Sequence, residues 1–409
     1  MTLRYWVWAG ALGAYLGMYF LGLLAALPAS AQDWSVSGEV GVEARIFPNS
    51  PAYADQTDSA LSPSIFIEPE FVVEWSGGDD RFTFKPYLKL DADDDNRSHA
   101  DIREANWLHV GEDYDLVIGL DKVYWGVAES RHLVDIINQD DRVEDLDGED
   151  KLGQPMLQLA LNKDWGTTTL FVLPGFRERT FPGDDARLRG SLPISDDVTY
   201  DAGAEAYHVD FAIRWAHSIG DFDIGLSHFH GTSREPRFRV SSGETELVPH
   251  YDLIDQTGFD LQYTKDAWLL KFEAIGRAGH GQYFPASVAG VEYTLFQIFE
   301  SDADLGLLAE YLYDGRDDSA DAPGTPFQDD IFLGARLALN DEQDTSLLAG
   351  VIVDRVEGSA LATVEAERRL GQDWRLAVEA RMFIGIDRAD VLHGLRRDDV
   401  LTVRLSRFF

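Results

Sequence analysis

Glu68, Glu70 and Glu74 stand at even positions of one extended-looking segment, and Arg81, Lys85 and Lys89 at odd positions of the next. Carboxylates and cations so arranged on neighbouring strands form a cross-strand ladder of opposite charge. Such a ladder either holds a wall rigid through ion pairs or sets a transverse field that orients polar solutes in water. A matching set lies at the two ends of the chain: Glu39, Glu43 and Arg45 near the start, Arg375, Glu379, Arg381 and Arg404 near the end. With Arg214 these residues are the candidate lining of a water-filled space. Isolated exposed pairs contribute little energy, so the ladder matters mainly through its polarity.

A different chemistry is concentrated in 126–154, "GVAESRHLVDIINQDDRVEDLDGEDKLGQ". Leu133, Val134, Ile136 and Ile137 give it an apolar core that a fully solvated loop does not need. Folded inward, it brings Arg131, His132, Asp135, Asn138, Asp140, Asp141 and Arg142 to a constriction. The alternative is a short helix packed over a rim. Asp141, Glu144, Asp145, Asp147, Glu149 and Asp150 also form an acidic run suited to weak calcium binding, although the spacing is not that of an EF-hand. No other cofactor or metal is expected. His228 and His230 form an H-x-H on one strand face, which reads as a wall feature. Neither G-x-S-x-G nor H-E-x-x-H occurs, and no enzyme is expected.

The elements that position these residues follow from alternation. Trp34, Val36, Val40, Val42 and Ile46 oppose Ser35, Ser37, Glu39, Glu43 and Arg45, a period of two. The same pattern returns with Ile65, Ile67, Phe71, Val73 and Trp75, with Val209, Phe211, Ile213 and Trp215, with Trp268, Leu270 and Phe272, and with Trp374, Leu376, Val378 and Met382. The strands run to roughly 9–15 residues, longer than the usual five or six and suited to tilted membrane crossings. Short links (76–80, 111–113, 163–166, 218–221, 264–267, 301–304, 340–344, 370–373) alternate with longer ones (48–63, 91–100, 126–154, 175–203, 231–252, 278–287, 314–329, 355–359, 387–398). That asymmetry fits a barrel with periplasmic turns and extracellular loops. About 18 strands are expected. Sixteen is the fallback, because "DIREANWLHV" (101–110) and "TTTLFVL" (167–173) alternate poorly.

The formal net charge is −37, with 72 acidic against 35 basic residues. Phosphate binding needs a basic footprint, so nucleic acid is excluded as a partner. The chain has no cysteine, which removes disulfides and thiolate sites. It opens on an apolar run, Tyr5 to Leu27, followed by Pro28 and Ala29-Ser30-Ala31. This is the expected signal peptide (1–31), cleaved before Gln32, with 32–409 forming a single barrel domain.

The A-x-A leader, the amphipathic strands, the loop asymmetry and the terminal aromatic in "VRLSRFF" are similar to those of porin-like outer-membrane β-barrel proteins of Gram-negative bacteria. The resemblance covers all of 32–409. It implies an all-β, single transmembrane, antiparallel up-and-down β-barrel in the outer membrane, with outer-membrane lipid around it. It further implies that Phe409 belongs to the signal read by the barrel-assembly machinery. The expected function is a channel for diffusion of small hydrophilic solutes through a charged lumen. A polymer or glycan export or uptake barrel, and a structural or adhesive barrel with a plugged lumen, are the alternatives. Oligomeric state is left open.

Overall fold

The computed structural model describes residues 32–409. The expected leader and its cleavage site fall outside the described residues. Eighteen strands close into one antiparallel sheet, and three shorter strands form a second sheet. In chain order, β1 to β7 are Asp33–Ile46, Leu61–Trp75, Asp80–Asp91, His99–Val110, Tyr114–Asp121, Gln154–Lys163 and Gly166–Pro174. β8 (Thr199–Tyr200) is in the small sheet, and β9 (Val209–Ile219) and β10 (Phe222–Thr232) return to the barrel. β11 (Arg237–Val240) and β12 (Leu247–Tyr251) complete the small sheet. β13 to β17 are Leu253–Lys265, Trp268–Gly279, Gly281–Leu295, Asp304–Asp314 and Asp329–Ala338. β18 to β21 are Ser346–Asp354, Ala360–Leu370, Trp374–Ile384 and Val400–Phe408.

The last strand closes the ring on the first. Glu39 pairs with Phe408 and Ile46 with Leu401. The main chains of Gly38 and Phe409 exchange two hydrogen bonds, of 3.0 and 3.1 Å. Closure removes the unpaired sheet edges that hydrocarbon cannot solvate. Both ends of the ring therefore lie at the short-turn side.

Two strands that alternate poorly in sequence are strands nonetheless. In β4 the register slips: Lys85 faces Glu104 while Pro86 faces Ile102. Arg103 is the extra residue of that bulge, and the bulge blurs the period of two. The 278–287 segment, expected as a long link, is instead a tight turn at His280 between β14 and β15. Gly279 (φ 103°) and Gly281 (φ 67°) supply the left-handed backbone it requires. Beyond it Phe284, Ala286 and Val288 are all buried and continue the strand alternation.

The outward faces carry an apolar band that includes Val36, Ile65, Phe71, Leu90, Phe211, Ile213, Leu270, Leu307 and Leu333, all exposed. At the short-turn side it ends in exposed aromatics: Trp34, Tyr114, Trp165, Phe222, Trp268, Phe296, Trp374 and Phe409. The long-loop side has Tyr207, Tyr283, Tyr311 and Tyr313. Two aromatic girdles around an apolar band are the signature of a barrel embedded in a bilayer. Among the described residues no helix is long and apolar enough to cross a membrane.

Candidate functional site in the barrel lumen

The link between β5 and β6, residues 122–153, packs inside the barrel. Its Trp125, Leu133, Val134, Ile136 and Ile137 share one buried cluster with Met156, Phe171, Leu173, Phe229, Ile275, Phe284, Leu308, Leu312 and Phe332. Those partners are the inward-facing side chains of β6, β7, β10 and β14 to β17. Each large apolar side chain so removed from water contributes about 1.5–3 kcal/mol. The loop's backbone is satisfied by wall carboxylates. Glu273 on β14 accepts from the amides of Val127 (2.6 Å), Ala128 (2.9 Å) and Val134 (3.2 Å). Glu310 on β16 accepts from those of Glu129 and Ser130, both at 2.8 Å. Gly126 (φ 135°) permits this approach, since a Cβ there would stand 2.9 Å from the Glu273 carboxylate.

The second half of the loop is held by charge. Arg103 on β4 bonds Asp141 at 2.5 Å. Glu144 takes Lys89 of β3 at 2.7 Å and the Tyr87 hydroxyl at 3.1 Å. Arg45 of β1 donates to the Glu144 carbonyl, and Arg381 of β20 bonds Asp145, Asp147 and Glu379. Glu43 is a hub beneath them, reached by Arg97 (2.5 Å), Arg404 (2.7 Å) and Lys89 (3.4 Å). All of these except Asp145, Asp147, Glu379 and Arg404 are buried. β16 is the thirteenth barrel strand and β4 the fourth, nine places apart in a ring of eighteen. The loop thus binds opposed walls, through Glu310 on one side and Arg103 on the other, and spans the lumen.

Each sequence-derived constriction residue has a defined partner. Arg131 meets Asp314 at 3.0 Å, and His132 meets Glu149 at 2.7 Å and the Tyr124 hydroxyl. Asp135 pairs with Lys151 at 3.0 Å. Asn138 is structural: it accepts from the Val123 amide and donates to the Asp121 and Leu152 carbonyls, all at 2.9 Å. Asp140 faces Arg142, Lys151 and Arg179. The loop therefore brings them together as a pinned network rather than a ring of free charges. Glu273, Glu310 and Arg103 were missed by sequence reasoning. The two glutamates occupy inward positions of alternating strands, which was the available signal. The β4 bulge concealed the arginine.

The electrostatics divide the loop. Burial alone would raise the Glu144 carboxyl, but Lys89 and Arg97 outweigh it and hold it at about 2. Asp140 is held well below its ordinary range, against burial, by Arg179, Arg142 and Lys151. Further along, enclosure and then Glu144, Asp147 and Asp145 push Asp150 up to about 7. Asp150 is nevertheless exposed to lumen water, which tempers the first of those causes. The acidic run does not converge on one point: Asp141 and Glu144 approach each other and His99 within 4.8 Å and share Arg103, whereas Glu149 engages His132. Asp145, Asp147 and Glu379 also approach one another within 4.8 Å, with Arg381 bonded to all three.

Below the loop, toward the short-turn side, the wall is charged. Lys85 bonds Glu68 at 2.9 Å, Arg214 bonds Asp260 through two nitrogens (2.7 and 2.8 Å), and Arg375 meets Glu367 at 3.2 Å. Glu74 pairs in register with Arg81, and Glu39 and Glu70 extend the same inward rows. A cavity of about 310 Å³ here is lined by Tyr124, Trp125, Arg214, His217, Asp223 and Asp260. His228 and His230 lie on the outer face instead, where His230 bonds Asp255 at 2.9 Å.

No family model and no curated protein matches this sequence. Solved structures do. Wzi, an Escherichia coli outer-membrane protein involved in group 1 capsule assembly and described as a carbohydrate-binding β-barrel, aligns with 9% identity and a TM-score of 0.53. The alignment covers 90% of this chain and 84% of Wzi. OpdO of Pseudomonas aeruginosa aligns with 10% identity and a TM-score of 0.53, over 93% of this chain and 97% of OpdO. At such identities the likeness is one of fold, that of the large outer-membrane β-barrels.

Proposed function

We propose that this chain is an outer-membrane channel for small hydrophilic solutes, with an aperture set by loop 122–153. The carrying observation is the attachment of one lumen loop to opposed strands above a charged vestibule. Mechanism then means size exclusion and electrostatic filtering, with no covalent step and no cofactor. Solute entering the vestibule meets Arg214–Asp260, Lys85–Glu68 and Arg375–Glu367, paired charges that offer hydrogen bonds without a deep binding well. In a low-dielectric wall such rows keep a transverse field. Purified protein in a planar bilayer should give discrete conductance steps, and shortening 129–148 should enlarge them. A silent bilayer with correctly folded protein would overturn the reading.

One observation favours the plugged-barrel alternative. Segment 175–208 crosses the long-loop side: Arg187 bonds Asp398 at 2.7 Å, and Arg179 bonds Asp140 at 2.7 Å. A glycan-handling barrel is the other alternative, and the fold likeness to Wzi bears on it. Conductance without a capsule or polymer phenotype separates the channel from the glycan barrel. Assembly rests on the closing strand and Phe409: its deletion should lower the folded fraction in unboiled gel migration, and an unchanged yield would remove Phe409 from that role.

A further inference from the structure

The long-loop side holds a cluster that the channel reading does not use. Asp201 follows β8, His250 lies in β12, and Asp252 precedes β13. One ligand atom from each comes within 4.8 Å of the others. The His250 Nε2 stands 3.1 Å from Asp201 and 3.4 Å from Asp252. Its other nitrogen, Nδ1, is 2.8 Å from the Thr199 hydroxyl. That hydroxyl also lies 3.3 Å from the Pro249 carbonyl, and Nε2 is aimed between two carboxylates. Metal-bound histidines are oriented in this way, by a hydrogen bond from the second nitrogen.

An independent observation points to the same place. His280, in the β14–β15 turn, is 0% exposed. Both its ring nitrogens lack a hydrogen-bond partner, which is costly for a buried polar group. Its Nε2 is 3.8 Å from the Asp252 carboxylate. Arg277, Glu235, Arg316 and Arg237 are the charged groups around it. Those arginines are themselves paired: Arg277 and Arg316 with Glu235, Arg237 with Asp252. Asp252 keeps lone pairs beyond those Arg237 uses.

We propose that Asp201, His250, Asp252 and His280 form a site for a divalent transition ion of the zinc type. Two imidazoles and carboxylate oxygens are the donor set that zinc takes at four-coordinate sites. The ion would join three separate segments: the 175–208 crossing, the small sheet, and the β14–β15 turn. Its role is a staple that fixes the covering segments to the barrel rim. The Asp201 side chain, 47% exposed, gives it an entry path.

The test uses the untagged full barrel in detergent, loaded with Zn²⁺ and dialysed against metal-free buffer. One Zn²⁺ per chain should remain. His250→Gln and His280→Gln should each weaken binding by ~10-fold or more, while His228→Ala/His230→Ala, which removes the outer-face histidines, should change nothing. Zn²⁺ should also slow protease nicking within 175–208. Should either Gln variant misfold on a heat-modifiability gel, Co²⁺ loaded into the parent barrel gives a visible d–d spectrum of tetrahedral type. The proposal is overturned if the parent retains no metal, if retention follows His228 and His230, or if both Gln variants bind as the parent does.

Discussion

The two halves of loop 122–153 are bound to the same barrel by different forces. Residues 123–137 sit mainly on an apolar sector of the inner wall, β6 to β17, with main-chain amides turned to Glu273 and Glu310 and the charged side chains of Glu129 and Arg131 paired at its edge with Lys271, Arg336 and Asp314. Residues 140–147 sit on a charged sector, β1, β3, β4 and β20, through ion pairs. An apolar contact responds to neither pH nor salt within the physiological range. An ion-pair network depends on every partner being present, and removing one leaves the others buried and uncompensated. The first half is a fixed hinge and the second a latch.

The largest effect should come from placing charge in the hinge. Ile137 is fully buried, so Ile137→Asp puts a carboxylate among apolar groups, at a cost of several kcal/mol. The expected outcome is a sharp drop in folded yield or, where the barrel survives, a loop released from its apolar wall and a larger conductance step. An unchanged step size in folded protein would mean that the latch alone holds the loop. Cutting the latch should cost less. Arg381→Met strips the cation from Asp145, Asp147 and Glu379, with a loss of about 3 kcal/mol and larger, noisier conductance. The apolar half should remain attached, so thermal unfolding should fall by less than for Ile137→Asp.

The comparison also shows what sequence can carry. The barrel was legible because a period of two survives in nearly every strand, and Glu68 with Lys85, or Glu43 with Arg404, are neighbours by parity alone. The inward loop was legible from Leu133, Val134, Ile136 and Ile137, an apolar core in a link too long to need one. Which wall each loop residue would meet was not, because that depends on the order of strands around the ring. The bulge at Arg103 hid one anchor, and two glycines turned an expected long loop into the His280 turn. The buried histidine there has no sequence signal, since its enclosure comes from segments far away in the chain.

A smaller effect separates the halves by pH. For Glu144, whose folded value of about 2 lies below the ordinary 4.5, the stabilisation is present above about 4.5 and is lost only as pH falls toward 2. Asp150 runs the other way. Its folded value of about 7 lies above the ordinary 3.8, so the folded state holds the extra proton and stability declines as pH rises through that interval. Deprotonation adds a negative charge beside Glu144, Asp145 and Asp147 and loosens the latch while the hinge stays. Conductance should therefore rise between pH 6 and 8, and Asp150→Asn should flatten that rise. A rise that persists in Asp150→Asn would move the titrating group elsewhere, with His132 the next to replace.

Selectivity is the finest probe of the latch. The chain carries −37 overall, and acidic residues crowd the loops, among them Asp55, Asp58, Asp184 and Asp185. A solute arriving from that side meets negative potential, felt within about 8–10 Å at physiological salt. The parent should prefer cations modestly, and the preference should fade as salt rises. Asp135, Asp140 and Asp141 contribute little to that field, because Lys151, Arg179 and Arg103 neutralise them at 2.5–3.0 Å. Changing all three to Asn does more than delete negative charge: it removes the carboxylate partners of Lys151, Arg179 and Arg142 inside the lumen, while Arg103 keeps Asp101. Reversal potentials across a salt gradient should then shift toward anions, by more than the same number of Asp→Asn changes in the outer loops would produce. A clear anion preference in the parent would remove the vestibule field. A triple variant indistinguishable from the parent would show that ions do not pass near the latch, and would leave the apolar hinge as the only part of the loop that bounds the path.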